Sequence, residues 1–281
     1  MNNLIGYKNG EFVPLDQIGP SILDFGFIHC DSTYDVMPIY NGKAFALDKH
    51  LNRFVASAEY YKLKLPDVYY LEIIEELYKR NLMVTEGGDA FVWFIAWRGY
   101  PESGNPRDIE NAPVNFAMYI KPSYPLRVDG APMKVELSED VRVPDNCYGQ
   151  QYKNMGWIEM TKAQLARSNT YDTIILKDHN GFITEGPGFN VGLVWENYIY
   201  TPKRNVLRGI TMDVVEDICK DNPGQFTRTD MKQDMWNWAD EIFLASSSGG
   251  ITKTHRSGKV TEWLQEEYIK RTKDGLWTTA L

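Results

Sequence analysis

The chain has 281 residues, 43% hydrophobic and 24% charged, enough apolar material to bury a core in one large domain or two modest ones. Its formal net charge of −8 excludes a nucleic-acid coat, which needs clustered Lys and Arg. No window approaches about 18 uninterrupted apolar residues, so no membrane partner is expected, and the opening MNNLIGYKNGEFVPLD lacks the charged start and apolar run of a signal peptide.

Three cysteines (Cys30, Cys147, Cys219) lie far apart and make neither a zinc knuckle nor a disulfide framework, which suits a reduced, cytoplasmic setting. Four scattered histidines (His29, His50, His179, His255) predict no metal site.

In chain order, Tyr7 to Val13 reads as a hairpin around Asn9-Gly10, and Tyr34 to Tyr40 as a strand turning at Asn41-Gly42 into 44–47. Asp48 is placed as the N-cap of a helix carrying Leu51, Phe54, Val55, Ala58 and Tyr61 at helical spacing. A second helix is placed over 67–82, with Val68, Leu71, Ile74, Leu77 and Tyr78 as its apolar stripe. Ala90 to Trp97 reads as a buried strand and Val114 to Ile120 as another. The intervening stretch, 98–113, is rich in Gly, Pro and Asn and is marked as a functional loop. A linker at Lys121 to Pro125 sets the domains at 1–121 and 122–281. The second half carries strands at 133–137, 173–176, 191–194, 198–200 and 241–245, and helices near 157–167, 212–220 and 260–273. Hairpins dominate the strand connections, so the fold class is α+β.

The chain has no GxGxxG, GxxxxGK[ST], HExxH or GxSxG motif. Four segments stand out instead. In 50–58, HLNRFVASA, Arg53 lies close to the apolar edge of its helix; it reads either as a surface arginine along the core edge or as one aimed inward at a phosphate. In 150–157, QQYKNMGW, Lys153 precedes a predicted helix. An enclosed lysine loses its proton more easily and becomes a nucleophile able to form a Schiff base, whereas an exposed one does not. In 181–191, GFITEGPGFNV, Glu185 enters a Gly-Pro-Gly turn that is either a solvated hairpin or a close backbone approach to a ligand. The last pair, LRGIT at 207–211 opening a helix and ASSSGG at 245–250 closing a strand, are possible anion cradles, although a Thr at a helix start is ordinarily a cap.

Taken in this order, the four segments resemble the class IV aminotransferases over nearly the whole chain, from about Gly10 to Gly258. The segment 173–194 with its Thr-Glu-Gly-Pro-Gly-Phe-Asn is the most specific part. The resemblance implies two α+β domains, the C-terminal one a pseudo-barrel carrying the lysine, with pyridoxal 5′-phosphate in the cleft between them. It implies that Lys153 holds the cofactor and shuttles a proton. Glu185 would pair with the ring nitrogen, with Asn190 among the cofactor-binding residues, and Leu207 would pack on one ring face. Arg53, Gly209, Ile210, Thr211, Ser247 and Ser248 would surround the phosphate. It also implies a homodimer in which the partner subunit borders each site.

Within the family, FIHCDSTYDV at 27–36 and KNMGW at 153–157 look most similar to the (R)-selective amine transaminases, followed by the D-amino-acid and branched-chain enzymes. Two departures stand out. Ile158 occupies the place, five residues after the lysine, where branched-chain enzymes commonly carry a tyrosine. Ser247 and Ser248 replace the usual threonine and alanine. Substrate contacts are expected from His29, Tyr34, Trp97, Arg98, Arg107 and Trp157, with Arg98 or Arg107 swinging in to bind the carboxylate of a 2-oxo acid. The alternatives are a branched-chain L-amino-acid aminotransferase, a lyase releasing pyruvate from aminodeoxychorismate, and a non-catalytic binding protein on the same fold. The presence of both Lys153 and Glu185 argues against the last.

Overall fold

In a computed structural model of the chain, which describes residues 4–124, 130–221 and 225–281, both Asn-Gly pairs close hairpins. Asn9 and Gly10 have φ of 50° and 104°, Asn41 and Gly42 of 49° and 73°, the left-handed conformations that a two-residue hairpin turn requires and that Asn and Gly tolerate. Along the chain come β1 (Ile5–Lys8), β2 (Glu11–Pro14), α1 (Phe25–Ile28), β3 (Ser32–Tyr40), β4 (Lys43–Phe45), α2 (Leu47–Tyr60), α3 (Tyr70–Thr85), β5 (Ala90–Arg98), β6 (Val114–Pro122) and β7 (Val135–Val141). They are followed by α4 (Asp145–Tyr148), α5 (Ile158–Ala166), β8 (Thr173–Lys177), β9 (Asn190–Trp195), β10 (Tyr198–Pro202) and α6 (Ile210–Ile218). Then come β11 (Phe226–Thr229), α7 (Gln233–Trp238), β12 (Glu241–Ser246), β13 (Gly250–Lys253), α8 (Lys259–Arg271) and β14 (Thr278–Ala280). The α+β class stands. The linker placed at 121–125 ends at Pro125, which lies outside the described residues.

The chain divides into two compact units, one holding the residues up to 124 together with 152–156 and 275–281, the other holding the rest. The first is a seven-stranded antiparallel sheet in the order β14-β4-β3-β5-β6-β1-β2. One face of it, with Met37, Ile39, Val92, Phe94, Phe116 and Ile120, is buried with Phe54 and Ala58 of α2 and Ile74 and Leu77 of α3. Each such side chain removed from water contributes about 1.5–3 kcal/mol. The second unit has a five-stranded sheet, β11-β10-β9-β12-β13, and a parallel pair, β7-β8. Its core gathers Ile175, Val191, Leu193, Ile242 and Leu244.

Several expectations are corrected. The lysine segment 152–156 and the C-terminal tail group with the first unit, not with the C-terminal half. The tail joins because β14 pairs with β4, and the lysine segment because β3 and α2 hold it, as described below. Asp48 does not cap α2; the cap position is Ala46 in the left-handed conformation, fixed by its N–H donating to the Trp277 carbonyl at 2.7 Å, a contact from the far end of the chain. The helix expected over 67–82 runs over 70–85 because its stop lies at Glu86 and Gly87, both with positive φ. The short elements α1, α4, α7, β11, β13 and β14 were not anticipated.

One buried group ties α2 to β3. Asp35 is fully buried, accepting hydrogen bonds from Arg53 Nε at 2.7 Å and Nη2 at 2.8 Å, with His50 Nδ1 at 2.8 Å. Burial alone would raise the Asp35 carboxyl, but the Arg53 charge and the His50 contact overcome it and hold it well below the usual carboxylate range. Burial pushes His50 below its ordinary 6.5, with Asp35 opposing and the charges of Arg53 and Lys153 assisting. A histidine depressed in the folded state takes up its proton first in the unfolded chain, so stability is lost as pH falls below about 6.5. The Tm of the native protein therefore drops between about pH 7 and 5, and His50→Asn, whose amide keeps the hydrogen bond, flattens that slope; parallel pH profiles for the two proteins would contradict the assignment. In the second unit a Cβ on Gly192 of β9 would run into the Phe243 ring of β12. Gly192→Ala is expected to cost about 1–3 kcal/mol, read as a lower midpoint in urea.

Candidate active site

Lys153 sits in a loop and is half-buried. Its backbone N–H donates to Ser57 Oγ at 3.1 Å, and its carbonyl accepts from Thr33 Oγ1 at 2.6 Å. Its ammonium lies over the Tyr34 ring, 4.3 Å from the centroid. Tyr34 in turn stacks on Trp93 at 5.4 Å. β3 makes this possible. Its partner β4 pairs only with Ile39 and Tyr40, while Ser32 to Ile39 pair with β5 on the other side. Within this unit, Lys153, Tyr34 and Arg53 are thus brought into one neighbourhood, with Asp35 and His50 behind them.

In the second unit Glu185 is the organising residue. It is buried between β8 and β9, held in place by its own carbonyl accepting from the Leu176 N–H at 3.1 Å. Three donors converge on its carboxylate: Arg142 Nη1, the Leu207 N–H at 3.0 Å and Asn190 Nδ2 at 2.9 Å. Asn190 also donates to the Leu207 carbonyl at 2.9 Å, which pins the chain entering α6. The Gly-Pro-Gly turn serves packing here: a Cβ on Gly186 would strike the Phe189 ring and the Ile174 carbonyl.

Helix α6 starts at a buried Gly209, with Ile210 and Thr211 buried behind it and no side chain capping the first turn. A helix start of this kind offers N–H groups to an anion. Ser247 and Ser248 lie in the turn between β12 and β13, where Ser246 Oγ accepts the Gly249 N–H at 3.0 Å and lies 3.3 Å from Ser248 Oγ.

The expected substrate residues scatter more widely. His29 is exposed at the end of α1, its ring 5.0 Å from Phe25. Trp97 is buried and donates its indole N–H to Asp24 at 2.9 Å, a packing role. Arg98, one of the two arginines expected to supply the mobile carboxylate contact, is held here: Nε donates to Asp31 at 2.6 Å and Nη2 to the Tyr61 carbonyl at 2.9 Å. Arg107 is exposed in the long loop. Trp157 is half-buried before α5, packed against the cluster of Met160, Ala163, Ile174 and Leu176.

Sequence reasoning passed over Arg142 and gave Gln150, inside the quoted 150–157 segment, no role. Both are buried, and Arg142 bridges Glu185 and Gln150 Oε1. No motif flags an arginine after β7; only the need of a buried carboxylate for a counter-charge points to one. Asp35, Thr33 and Ser57 were inside quoted motifs but without roles. Among the described residues there is no cluster of potential metal ligands and no helix long and apolar enough to cross a membrane.

Residues 32–256 match the family model of the amino-transferase class IV family, well over half of the chain. A putative branched-chain-amino-acid aminotransferase of Methanocaldococcus jannaschii is 26% identical over 285 residues, spanning 96% of this chain and 97% of that protein. A D-alanine aminotransferase of Staphylococcus aureus is 27% identical over 279 residues, spanning 94% of this chain and 96% of that one. Two solved structures share the fold. The branched-chain aminotransferase of Thermoproteus uzoniensis with norvaline has a TM-score of 0.87 at 19% identity, covering 98% of each chain. A T.th. branched-chain amino acid aminotransferase with pyridoxamine 5′-phosphate has a TM-score of 0.87 at 22% identity, covering 99% of this chain and 98% of that one. The chain belongs to the class IV aminotransferases, a family of enzymes that use pyridoxal 5′-phosphate.

Proposed function

We propose that this chain transfers an amino group from an (R)-amine or D-amino acid to a 2-oxo acid such as pyruvate or 2-oxoglutarate, as a cytoplasmic homodimer with pyridoxal 5′-phosphate on Lys153. The observation that carries the chemistry is the pair of held groups: Lys153 over Tyr34, and Glu185 under three donors. Two observations support the donor type. D-alanine aminotransferases align along almost all of the chain, and Ile158, 80% exposed, offers no hydroxyl where branched-chain enzymes carry one. The free cysteines Cys30, Cys147 and Cys219 accord with a reducing compartment.

The residues present fit the cofactor. The uncapped, buried start of α6 at Gly209, Ile210 and Thr211 is chemistry for a phosphate. So is a guanidinium, Arg53, oriented by two hydrogen bonds to Asp35. Ser247 and Ser248 supply small hydroxyls to the same group. Glu185 is the acidic partner for a protonated ring nitrogen, its charge balanced by Arg142 and its angle set by Asn190. Leu207, half-buried beside it, offers an apolar surface to the ring. When bound, pyridoxal 5′-phosphate supplies an aldehyde that condenses with an amine, releasing water, and a ring that withdraws electrons from the substrate carbon. Lys153 would hold the cofactor through its Nζ, and as a free amine that Nζ could carry a proton to and from a substrate carbon. The Tyr34 ring beneath Nζ limits where that amine travels. Arg107, exposed in the loop, is the side chain we assign to the 2-oxo acid carboxylate, since Arg98 is held by Asp31.

A second reading, a branched-chain L-amino-acid aminotransferase, is favoured by the Methanocaldococcus jannaschii relative. The two separate in the spectrum of the protein loaded with pyridoxal 5′-phosphate. We expect (R)-1-phenylethylamine or D-alanine to convert the visible band to a near-ultraviolet one, and L-leucine to leave it unchanged; conversion by L-leucine alone would establish the second reading. Release of pyruvate without nitrogen transfer would instead mark a lyase. Arg107→Ala should raise KM for pyruvate by roughly tenfold, one charge-assisted contact, with KM for the amine unchanged. Unchanged pyruvate kinetics would remove Arg107 from the role. Glu185→Gln should lower kcat on the order of a hundredfold, the scale of losing one preorganised electrostatic partner, and activity within a few-fold of the native enzyme would contradict it.

A further inference from the structure

The segment 152–156 belongs to the first unit although the residues on either side of it, 151 and 157, belong to the second. Besides the Lys153 ammonium over Tyr34, four contacts tie three consecutive residues of it to that unit. The Tyr152 ring stacks on Tyr60 with centroids 4.0 Å apart and planes 15° from parallel. The Lys153 N–H donates to Ser57 Oγ and the Lys153 carbonyl accepts from Thr33 Oγ1, so both backbone polar groups of the lysine are held by side-chain hydroxyls. Asn154 Nδ2 donates to Tyr61 Oη at 3.3 Å. Ser57 and Thr33 are both fully buried, so a hydroxyl lost there is not replaced by bulk water.

Ser57 does more than receive the lysine. Its hydroxyl donates to the Arg53 carbonyl at 2.8 Å, one helical turn back. A hydroxyl carries one donor and two acceptor sites, so both bonds coexist. Four residues of helix span about 6 Å, and α2 thereby sets the backbone spacing between the Arg53 anchor and the Lys153 amine.

We propose that Ser57 and Thr33 are positioning residues for Lys153, gripping its peptide groups from α2 and β3 so that the amine stands at a fixed distance from Arg53. The proposal rests on the reading that Lys153 takes the cofactor aldehyde. In that condensation the neutral Nζ amine would add to the aldehyde carbon, its two protons would leave with the aldehyde oxygen as water, and a C=N bond would replace the C=O bond. The hydroxyls take no part in that exchange; they set where Nζ starts.

The test compares two ligands on purified protein. Pyridoxal 5′-phosphate bonds to the lysine, whereas 4-deoxypyridoxine 5′-phosphate has the same ring and phosphate with a methyl group in place of the aldehyde. Thr33→Val and Ser57→Ala should each weaken pyridoxal 5′-phosphate by about tenfold and slow the appearance of its visible band, while the affinity of the deoxy compound changes by less than about twofold. Thr33→Ser, which keeps the hydroxyl, should restore the native values. The proposal is overturned if pyridoxal 5′-phosphate binding is unchanged in both variants, or if the deoxy compound weakens equally, which marks general damage. Should Ser57→Ala fail to fold, the Thr33→Val and Thr33→Ser pair decides alone. Absence of a visible band in the native protein, or its persistence in Lys153→Ala, overturns the cofactor reading itself and the proposal with it.

Discussion

A carboxylate at zero exposure has to be compensated, and Asp35 is compensated by two side chains of one helix. Removing a partner from such a group costs about 3–5 kcal/mol because the charge is left buried and unpaired. That penalty fixes α2 against β3 in register and rotation, since Arg53 must offer both Nε and Nη2 to the two oxygens. Once α2 is fixed, so are the things it carries: the Arg53 guanidinium, Ser57 one turn later, and the Tyr60 and Tyr61 rings at its end. Lys153 is then held by what Asp35 has placed. Of this network only Arg53 is proposed to meet the cofactor; His50, buried and resistant to charging, serves as a neutral donor to Asp35.

The second unit repeats the device with different parts. Glu185 is buried, balanced by Arg142 and aligned by Asn190 and the Leu207 N–H. Asn190 stands at the first position of β9 and reaches both Glu185 and Leu207, on the segment leading into α6. One side chain thus links the acidic group to the segment that leads into the uncapped start of α6. In both units a buried acid is the structural centre, and the groups proposed to meet the cofactor are arranged around it. Pairing at such sites gives orientation more surely than net stability.

Local signals were legible where chemistry is local. The two Asn-Gly turns, the apolar runs of β3, β5, β8 and β12, and the periodic helices α2, α5, α6 and α8 all lie close to where spacing places them, because backbone sterics and alternation decide them within a few residues. What long-range contacts decide was not legible. The start of α2 depends on Trp277, more than two hundred positions away, and the grouping of Lys153 with β3 depends on Thr33 and Ser57. The short strands β11, β13 and β14 exist through pairing partners rather than propensity. At the candidate site, Lys153, Arg53 and Glu185 are proposed on a whole-chain pattern. Arg142, Gln150 and Asp35 emerge only when one asks what each buried charge is paired with. Arg98 and Arg107 look alike in sequence, and it is the Asp31 carboxylate and the Tyr61 carbonyl beside Arg98, at the end of β5, that separate them.

The claim on which the account turns is that Lys153, and no other lysine, carries the cofactor. Borohydride reduction of the protein loaded with pyridoxal 5′-phosphate converts a lysine-bound cofactor into a stable amine, and peptide mapping by mass spectrometry then reads its position. The account predicts the added mass on the peptide containing Lys153 at one equivalent per chain, and its loss in Lys153→Ala. Reduction that leaves that peptide unmodified, or places the mass on another lysine, would contradict it.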